Sequence, residues 1–300
     1  MRNGGWGNRS LFRKGPAQAS PFPSHIPHPP FPCKGFTLVE LIVVIAVVGI
    51  LAGIVAVFIR NPIEGYMAAS RRAELVDTAD TALLRMARDA RAAVPNSLRV
   101  TQAGGVYYLE FLPLADGGRY RATRTGTGNG DTLDFVDGTD GSFDVLGPAV
   151  SASTDQFLVI YNLGQDADTD AWQGGNRRAV ASSGSVSQLA FTATGTPFPL
   201  ESPGQRFFLA GPPVSYVCDP AAGTLTRYWG YAPAASQPTS FGGASSALLA
   251  NRVKDCNLTY NPGAGQSLGQ LTLWIQLENS EGGQAESVSL YREVVVNNEA

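Results

Sequence analysis

The stretch FTLVELIVVIAVVGILAGIVAVFI, residues 36–59, decides the architecture of this 300-residue chain. Glu40 is the one charged residue in it. An α-helix rises 1.5 Å per residue, so a helix of this length would be about 36 Å long, enough to cross a bilayer with some tilt. We therefore predict a membrane-spanning helix over residues 36–59.

The charges around this segment predict its orientation. Residues 1–35 hold five basic residues and no acidic residue, whereas residues 36–300 carry a net charge of −8. By the positive-inside rule, residues 1–35 stay in the cytoplasm and the chain after Ile59 is exported. A secretory signal peptide fits poorly, because its apolar core is only about 7–15 residues long and a small-residue cleavage site follows it.

The start of the apolar segment carries a more specific pattern. The sequence KGFTLVE, residues 34–40, places a basic residue and a glycine before the apolar run and a carboxylate, Glu40, inside it. This resembles the processing site of type IV prepilins and type II secretion pseudopilins. The resemblance implies that a membrane-embedded prepilin peptidase cuts between Gly35 and Phe36, and that Phe36 is then N-methylated. Residues 1–35 would be the leader, although they are longer and richer in proline than is usual in the family, and a wrongly chosen start codon is one explanation. A plain signal anchor is the alternative interpretation.

Glu40 has two interpretations. An ionisable group at the centre of a membrane-spanning helix costs about 2.5–3.5 kcal/mol and is usually paired or functional. After cleavage, the new amine of Phe36 on one subunit could pair with Glu40 of a neighbour and set the axial register of a fibre. Alternatively, Glu40 lies only about 6 Å of helix rise from Phe36, so it could reach the interface alone. Gly49 and Gly53 form a GxxxG step, which is compatible with close helix packing.

Residues 60–95 are predicted to form the amphipathic outer half of the same helix. Pro62 and Gly65 lie near its start, where they would bend or loosen it, and Pro95 marks its end. Arginines in the last turns suit the negative end of the helix dipole. The stripe expected to pack on the rest of the chain consists of Val76, Ala79, Leu83, Met86, Ala87, Ala90 and Val94.

Residues 96–300 are predicted to form a β-rich exported head, because short runs of β-forming residues alternate there with glycine and proline. The predicted strands are residues 106–113, 119–124, 132–137, 157–163, 186–192, 206–210, 214–218, 224–231, 270–278 and 286–296. They would form one sheet or two. The pilin resemblance implies an α+β fold, in which a long transmembrane-plus-amphipathic N-terminal helix packs on an antiparallel β-sheet head.

Three cysteines occur in the chain, and Cys33 lies in the leader. Cys218 and Cys256 remain as an even pair in the head. In an exported domain a disulfide between them is expected, and it would stabilise the fold by about 4 kcal/mol in the chain-entropy model. A two-cysteine metal site is the weaker alternative, since the head supplies no histidine to complete it.

Asp166, Asp168 and Asp170 space carboxylates two residues apart, as calcium loops do. Ala171 stands where an EF-hand loop needs glycine, and Arg177 stands where it needs glutamate. A solvated acidic loop is the better interpretation, so we predict no metal site, while calcium binding at this loop stays open.

Several enzyme classes are excluded by histidine usage. Both histidines, His25 and His28, precede the apolar segment, so the exported part has no Ser-His or Cys-His pair and no HExxH site. SxxK is absent, and no paired-carboxylate spacing occurs. GQSLG, residues 265–269, matches GxSxG in its letters, but no histidine follows residue 28 to activate its serine. We therefore predict neither an enzyme nor a cofactor. Nucleic-acid binding is not expected either, because the bulk of the chain is acidic.

Further segments narrow the resemblance to the minor pilins of the MSHA-pilus biogenesis system, of the MshO type. These segments are residues 71–100, 216–231, 255–260, 271–277 and 288–298. The resemblance implies a membrane-inserted subunit that initiates or caps assembly of a type IV pilus. Its partners would be the prepilin peptidase and methylase, other major and minor pilins, and the inner-membrane assembly machinery. It would reside in the bacterial inner membrane with its head in the periplasm, and then in the pilus or pseudopilus.

Two alternatives stay open at this point. The first is a minor pseudopilin of a type II secretion system. The second is an adhesin, or ligand-binding head, on a pilin stem. The sequence feature that suggests an adhesin is the aromatic set Tyr228, Trp229 and Tyr231. Aromatic residues in strands more often pack in a core or on a sheet face.

Overall fold

The computed structural model describes residues 35–126, 128–263, 267–280 and 285–300. These residues form a helix, α1 (Leu38–Arg91), followed by a series of strands. The strands are β1 (Arg99–Ala103), β2 (Val106–Phe111), β3 (Leu114–Tyr120), β4 (Ser142–Leu146), β5 (Val150–Ala152), β6 (Phe157–Ile160), β7 (Arg177–Ala179), β8 (Gly184–Val186), β9 (Gln188–Ala190), β10 (Arg206–Ala210), β11 (Val214–Asp219), β12 (Thr224–Trp229), β13 (Ser245–Asn251), β14 (Val253–Asn261), β15 (Leu268–Asn279) and β16 (Glu286–Asn297). The predicted α+β class, with a long N-terminal helix and an antiparallel β-sheet head, is confirmed.

Two compact units divide the chain within α1. The described residues up to Ile59 belong to the first unit, and Arg60–Ala300 form the second. Pro62 and Gly65 lie inside α1, which is assigned as one helical element across them. Thus the backbone stays helical where the sequence predicted a bend or a loosened turn.

The helix ends at Arg91, before the end predicted at Pro95. A residue that precedes proline avoids the α conformation, and Val94 precedes Pro95. The Val94 amide instead donates to the carbonyl of Leu112 at 2.8 Å. A backbone bond to the strand region therefore replaces the last helical bonds.

The outer half of α1 buries one stripe of small and apolar side chains. This stripe consists of Leu75, Ala79, Ala82, Leu83, Met86, Ala87 and Ala90. The prediction that Val76 belongs to this stripe is wrong, because Val76 is 40% exposed, while its neighbour Leu75 is 2% exposed. Leu75 precedes Ala79 by four residues, so it lies on the same helix face. Val94 is buried, but in a separate small cluster with Leu112 and Trp172.

The described strands form four sheets rather than the predicted one or two. A five-stranded sheet has the order β1-β2-β11-β12-β13, and a three-stranded sheet has the order β14-β15-β16. A six-stranded sheet has the order β7-β6-β10-β3-β4-β9, and β5 pairs with β8. The buried stripe of α1 shares one core with the five-stranded and three-stranded sheets. The six-stranded sheet has a core of its own, rich in aromatic residues.

This second core belongs to an insertion, residues 114–210, between two paired strands. β2 and β11 are antiparallel neighbours, although the whole insertion separates them in sequence. The ends of the insertion lie close together, since the Gly211 amide donates to the Pro113 carbonyl at 2.8 Å. An excursion whose ends meet leaves the pairing of the flanking strands intact. The insertion therefore enlarges the head without interrupting the sheet that packs on α1.

The strand predicted over residues 132–137 does not form, and the one predicted over residues 119–124 ends at Tyr120, the last residue of β3. Between residues 132 and 137 the chain turns because the Asp134 carboxylate accepts hydrogen bonds from the amides of Val136 at 2.7 Å and Asp137 at 3.0 Å. Aspartate often bonds to the backbone two residues on, which closes a turn instead of extending a strand. These bonds lower the pKa of Asp134 below its ordinary value.

Polar contacts flank the buried stripe of α1. Asp89 accepts hydrogen bonds from the Tyr216 hydroxyl at 2.7 Å and from Arg227 Nε at 3.3 Å. Burial, followed by the adjacent Asp89, raises the pKa of Tyr216 well above its ordinary value. Nearer the start of this half, Asp80 accepts from Arg292 at 2.8 Å. These contacts tie the helix to β11, β12 and β16.

Candidate functional site

The bond between Gly35 and Phe36 lies just before α1. Neither residue is part of the helix, and Phe36 is 81% exposed. A side chain added at Gly35 would meet no other atom within 4 Å, and its backbone does not adopt a left-handed conformation. Within the described residues, neither steric crowding nor backbone conformation requires glycine at this position.

Thr37 and Glu40 form the first turn of α1. The Thr37 hydroxyl oxygen accepts a hydrogen bond from the Glu40 amide at 3.2 Å. A threonine followed three residues later by glutamate is the capping-box pattern, in which the threonine satisfies one free amide at the helix start. Glu40 also lies at the positive end of the helix dipole. This local role of Glu40 was not predicted, although the pattern Thr37-x-x-Glu40 is visible in the sequence.

The helix from Leu38 to Ile59 presents apolar side chains on all sides. All its side chains are exposed, and the segment is long and apolar enough to cross a membrane by length and composition. A helix that is apolar all round is stable in lipid or among other apolar helices. Gly49 and Gly53 lie one turn apart on it, and a side chain at either would meet no atom within 4 Å. They leave a narrow strip where another helix could approach closely.

A disulfide joins Cys218 of β11 to Cys256 of β14, as the cysteine count predicted. Both residues are buried, at 1% and 2% exposed. The bond links the five-stranded sheet to the three-stranded sheet within the core shared with α1.

We expect replacement of both Cys218 and Cys256 by serine to lower the free energy of unfolding by about 4 kcal/mol, because a cross-link over a sequence separation of 38 is lost. Thermal melts of the full chain measure the change. Alkylation under denaturing, non-reducing conditions should leave both cysteines of the exported wild type unlabelled. Labelling of both cysteines in the exported protein would contradict the bond.

The acidic loop at Asp166, Asp168 and Asp170 uses its carboxylates locally. Asp166 accepts from the amide of Thr169 at 2.9 Å and from its hydroxyl at 2.8 Å, and these bonds lower the pKa of Asp166. Asp170 accepts from the Trp172 amide at 2.9 Å. These bonds close turns. Across the part of the chain that the structure describes, no group of three or more histidine, cysteine or acidic residues has an arrangement suited to a metal.

A buried charge lies in the five-stranded sheet. The Glu110 side chain is fully buried, and Arg99, its partner across strands β1 and β2, donates to it from Nε at 2.7 Å. The Tyr231 hydroxyl also donates to Glu110, at 2.8 Å. Burial raises the pKa of Glu110, while Arg99 and the Tyr231 hydroxyl oppose that rise. Neither Arg99 nor Glu110 was predicted to have a role, because only the register of β1 and β2 brings them together.

Arg99 contacts three separate parts of the head. It donates to the carbonyls of Ala234 at 2.9 Å and Ala235 at 2.6 Å, in the loop after β12. Its guanidinium also stacks 3.8 Å from the ring centre of Trp172, in the insertion. The ion pair therefore joins the five-stranded sheet, this loop and the insertion.

The aromatic set that suggested an adhesin is engaged in packing. Tyr228 stacks on Phe241 with ring centres 4.6 Å apart, and Tyr231 meets the same ring edge-on at 5.3 Å. Trp229 lies under the guanidinium of Arg227 at 5.1 Å. Tyr228 and Tyr231 thus hold the loop after β12 on the sheet through Phe241, and Trp229 is covered on one side by Arg227.

Comparison with known proteins identifies one feature of this chain. Residues 31–56 match the prokaryotic N-terminal methylation motif, which covers Gly35, Phe36, Glu40 and most of the apolar segment. No curated protein and no solved structure matches the chain. The motif is type IV prepilin-like, so it supports a protein of the general pilin or pseudopilin kind, with a structural rather than an enzymatic role. It also implies processing by a prepilin peptidase, and together with the apolar helix it fits a membrane-anchored pilin.

Proposed function

We propose that this chain is a minor pilin of the MSHA type, a membrane-inserted subunit that takes part in initiating or capping pilus assembly after processing by prepilin peptidase. The observation that carries the proposal is the methylation motif at residues 31–56, at the start of a fully exposed apolar helix. Gly35 adds support, because neither crowding nor backbone conformation in the described structure requires glycine there. On this proposal, recognition by the peptidase is the reason that glycine occupies position 35.

In the proposed arrangement each segment has one role. Residues 1–35 are the cytoplasmic leader, and residues 36–59 span the inner membrane. Residues 60–95 are the outer half of the helix, and residues 96–300 are the periplasmic head. The disulfide between Cys218 and Cys256 suits an oxidising compartment, which favours export of the head.

The partners follow from this role. They are the prepilin peptidase, which also methylates Phe36, the major and minor pilins that assemble beside it, and the inner-membrane assembly machinery. A minor pseudopilin of a type II secretion system carries the same kind of motif and is the second candidate. Genes for other GFTLxE proteins and a pilus-assembly ATPase beside this gene would support the pilus, whereas secretion genes would support the pseudopilus.

We predict that the mature chain begins at Phe36 with a methylated amine. Intact-mass measurement and N-terminal sequencing of membrane-extracted protein test this directly. A Gly35→Val variant should keep residues 1–35 because the new side chain blocks the peptidase, while its head and disulfide stay native, since no neighbour lies within 4 Å of that position. A mature N-terminus beyond Ile59, or retention of residues 1–35 in cells with an active peptidase, would contradict the proposal.

A further inference from the structure

The outer face of the three-stranded sheet has a cavity of about 360 Å³ for which the pilin role gives no explanation. We call it the outer-sheet cavity. Asn257 of β14 lies opposite Trp274 of β15, which lies opposite Tyr291 of β16. Thr259 and Thr272 form the next pair along the same face, and all five residues line the cavity. The volume is in the range of about 300–1,000 Å³ that is typical of small-molecule sites.

Two of the three aromatic rings that line this cavity are available, whereas the third, Tyr107, packs against the core shared with α1. Tyr291 is 58% exposed and Trp274 is partly exposed. Alternate residues of β15, such as Leu273 and Ile275, point to the buried face, so the sheet core does not need these rings. Within the described residues, neither ring packs on another aromatic ring or on a cation. Both rings are free to stack on a ligand.

Polar groups that face the cavity are also free. The side-chain amide of Asn257, the hydroxyl of Thr259 and the indole Nε1 of Trp274 make no hydrogen bond to another described residue. Thus donors and acceptors stand beside exposed rings in one concave site. A purely apolar ligand would cover these groups without bonding to them, which is unfavourable.

The charges at the cavity restrict the ligand further. Asp255 lines it, and Glu293 flanks it opposite Thr272, while none of the lining residues that the structure describes is basic. Anionic ligands would therefore be repelled. Cys256, which also lines the cavity, is held by its disulfide to Cys218, so this part of the wall is fixed before any ligand arrives.

We propose that the outer-sheet cavity binds a neutral saccharide. A sugar ring has an apolar face of C–H groups, which stacks on an aromatic ring such as Trp274 or Tyr291. Its hydroxyl groups both donate and accept hydrogen bonds, which matches the free groups of Asn257, Thr259 and Trp274. Nucleic acid is a poor fit, because phosphate recognition needs basic residues. This proposal does not depend on the chain being a pilin.

The test uses the full chain, purified in a detergent that has no sugar head group. The probes are methyl glucoside, methyl galactoside, N-acetylglucosamine, short neutral oligosaccharides built from them, and a uronic acid as the charged counterpart. Titration calorimetry and saturation-transfer NMR read binding without relying on tryptophan fluorescence. We expect saturable binding of at least one neutral probe and much weaker binding of the uronic acid.

Three variants locate the site. Trp274→Ala and Asn257→Ala should each weaken binding about tenfold or more. Val295→Ala is the matched control, since Val295 is 58% exposed on the same sheet face but does not line the cavity. It should bind as the wild type does. Absence of binding to every neutral probe, or equal binding by wild type and both cavity variants, would overturn the proposal. Asn257→Ala keeps the test valid if Trp274→Ala fails to fold.

Discussion

Replacement of Arg99 by alanine is expected to lower the free energy of unfolding of the head by about 3–5 kcal/mol. The change leaves the Glu110 carboxylate buried without its cation, and Glu110 is fully buried. The variant also loses the bonds to Ala234 and Ala235 and the stacking on Trp172. For a head of this size, a loss of that order lowers the melting temperature by about 6–20 °C.

The loss in the free energy of unfolding should be larger at high pH than at low pH. Burial already raises the pKa of Glu110, and removal of Arg99 raises it further. A carboxyl group whose folded-state pKa lies above its unfolded value stabilises the fold at low pH, and that contribution is lost as the pH rises through the folded pKa. The deficit of the Arg99→Ala variant should therefore be largest well above the folded-state pKa of Glu110 and shrink as the pH falls through it.

Thermal melts of the full chain in micelles, followed by near-ultraviolet circular dichroism, measure both effects. Arg206→Ala is the matched control, because Arg206 lies 4.0 Å from Glu299 and both side chains are about half exposed or more. A surface pair of this kind contributes only about 0–1 kcal/mol. If the Arg99 variant melted within about 2 °C of the Arg206 variant near neutral pH, the buried pair would not hold the head together.

The sequence predicted the helix well because its signals are local. An apolar run of this length has few other stable structures, and the stripe from Ala79 to Ala90 repeats with the helical period. The prediction of the buried stripe is wrong at its N-terminal end, where a shift of one residue changes which side chain lies on the buried face of the helix. Val76 and Leu75 are both apolar neighbours, and only packing against the sheets selects Leu75.

The sheets were harder to predict, because their order is not local. β2 pairs with β11 across the whole insertion, and no sequence pattern in either strand predicts this pairing. β13 and β14 were missed because their sequences, SSALLAN and VKDCNLTYN, are polar or small for much of their length. Such strands are fixed by their neighbours more than by intrinsic preference.

The candidate sites also differ in whether their residues are close in sequence or are brought together only by the fold. Gly35, Phe36 and Glu40 lie within a few residues of one another, so a short motif was enough to single them out. Arg99 and Glu110 meet only through the register of β1 and β2. The outer-sheet cavity likewise combines residues from separate strands, so only the aromatic residues around Trp229, which are close in sequence, were predicted as a ligand surface.

Replacement of Glu40 is expected to impair incorporation into the fibre without preventing membrane insertion. On the proposed role of the chain, the Glu40 carboxylate pairs with the Phe36 amine of a neighbouring subunit. Loss of the carboxylate leaves that amine unpaired among apolar helices, at a cost of about 3–5 kcal/mol for each contact. Insertion should not suffer, because a neutral side chain enters lipid more easily than a glutamate.

The capping box at the helix start makes a sharper comparison possible. Glu40→Gln keeps a side chain suited to the third position of the box beside Thr37, but it removes the charge. Glu40→Ala removes both. If charge pairing sets the register, both variants should insert normally and both should fail to co-purify or crosslink with other pilins. If Glu40 serves only the helix start, glutamine should restore assembly and alanine should not. Normal assembly by both variants would leave Glu40 simply reaching the interface, and the register mechanism would be abandoned.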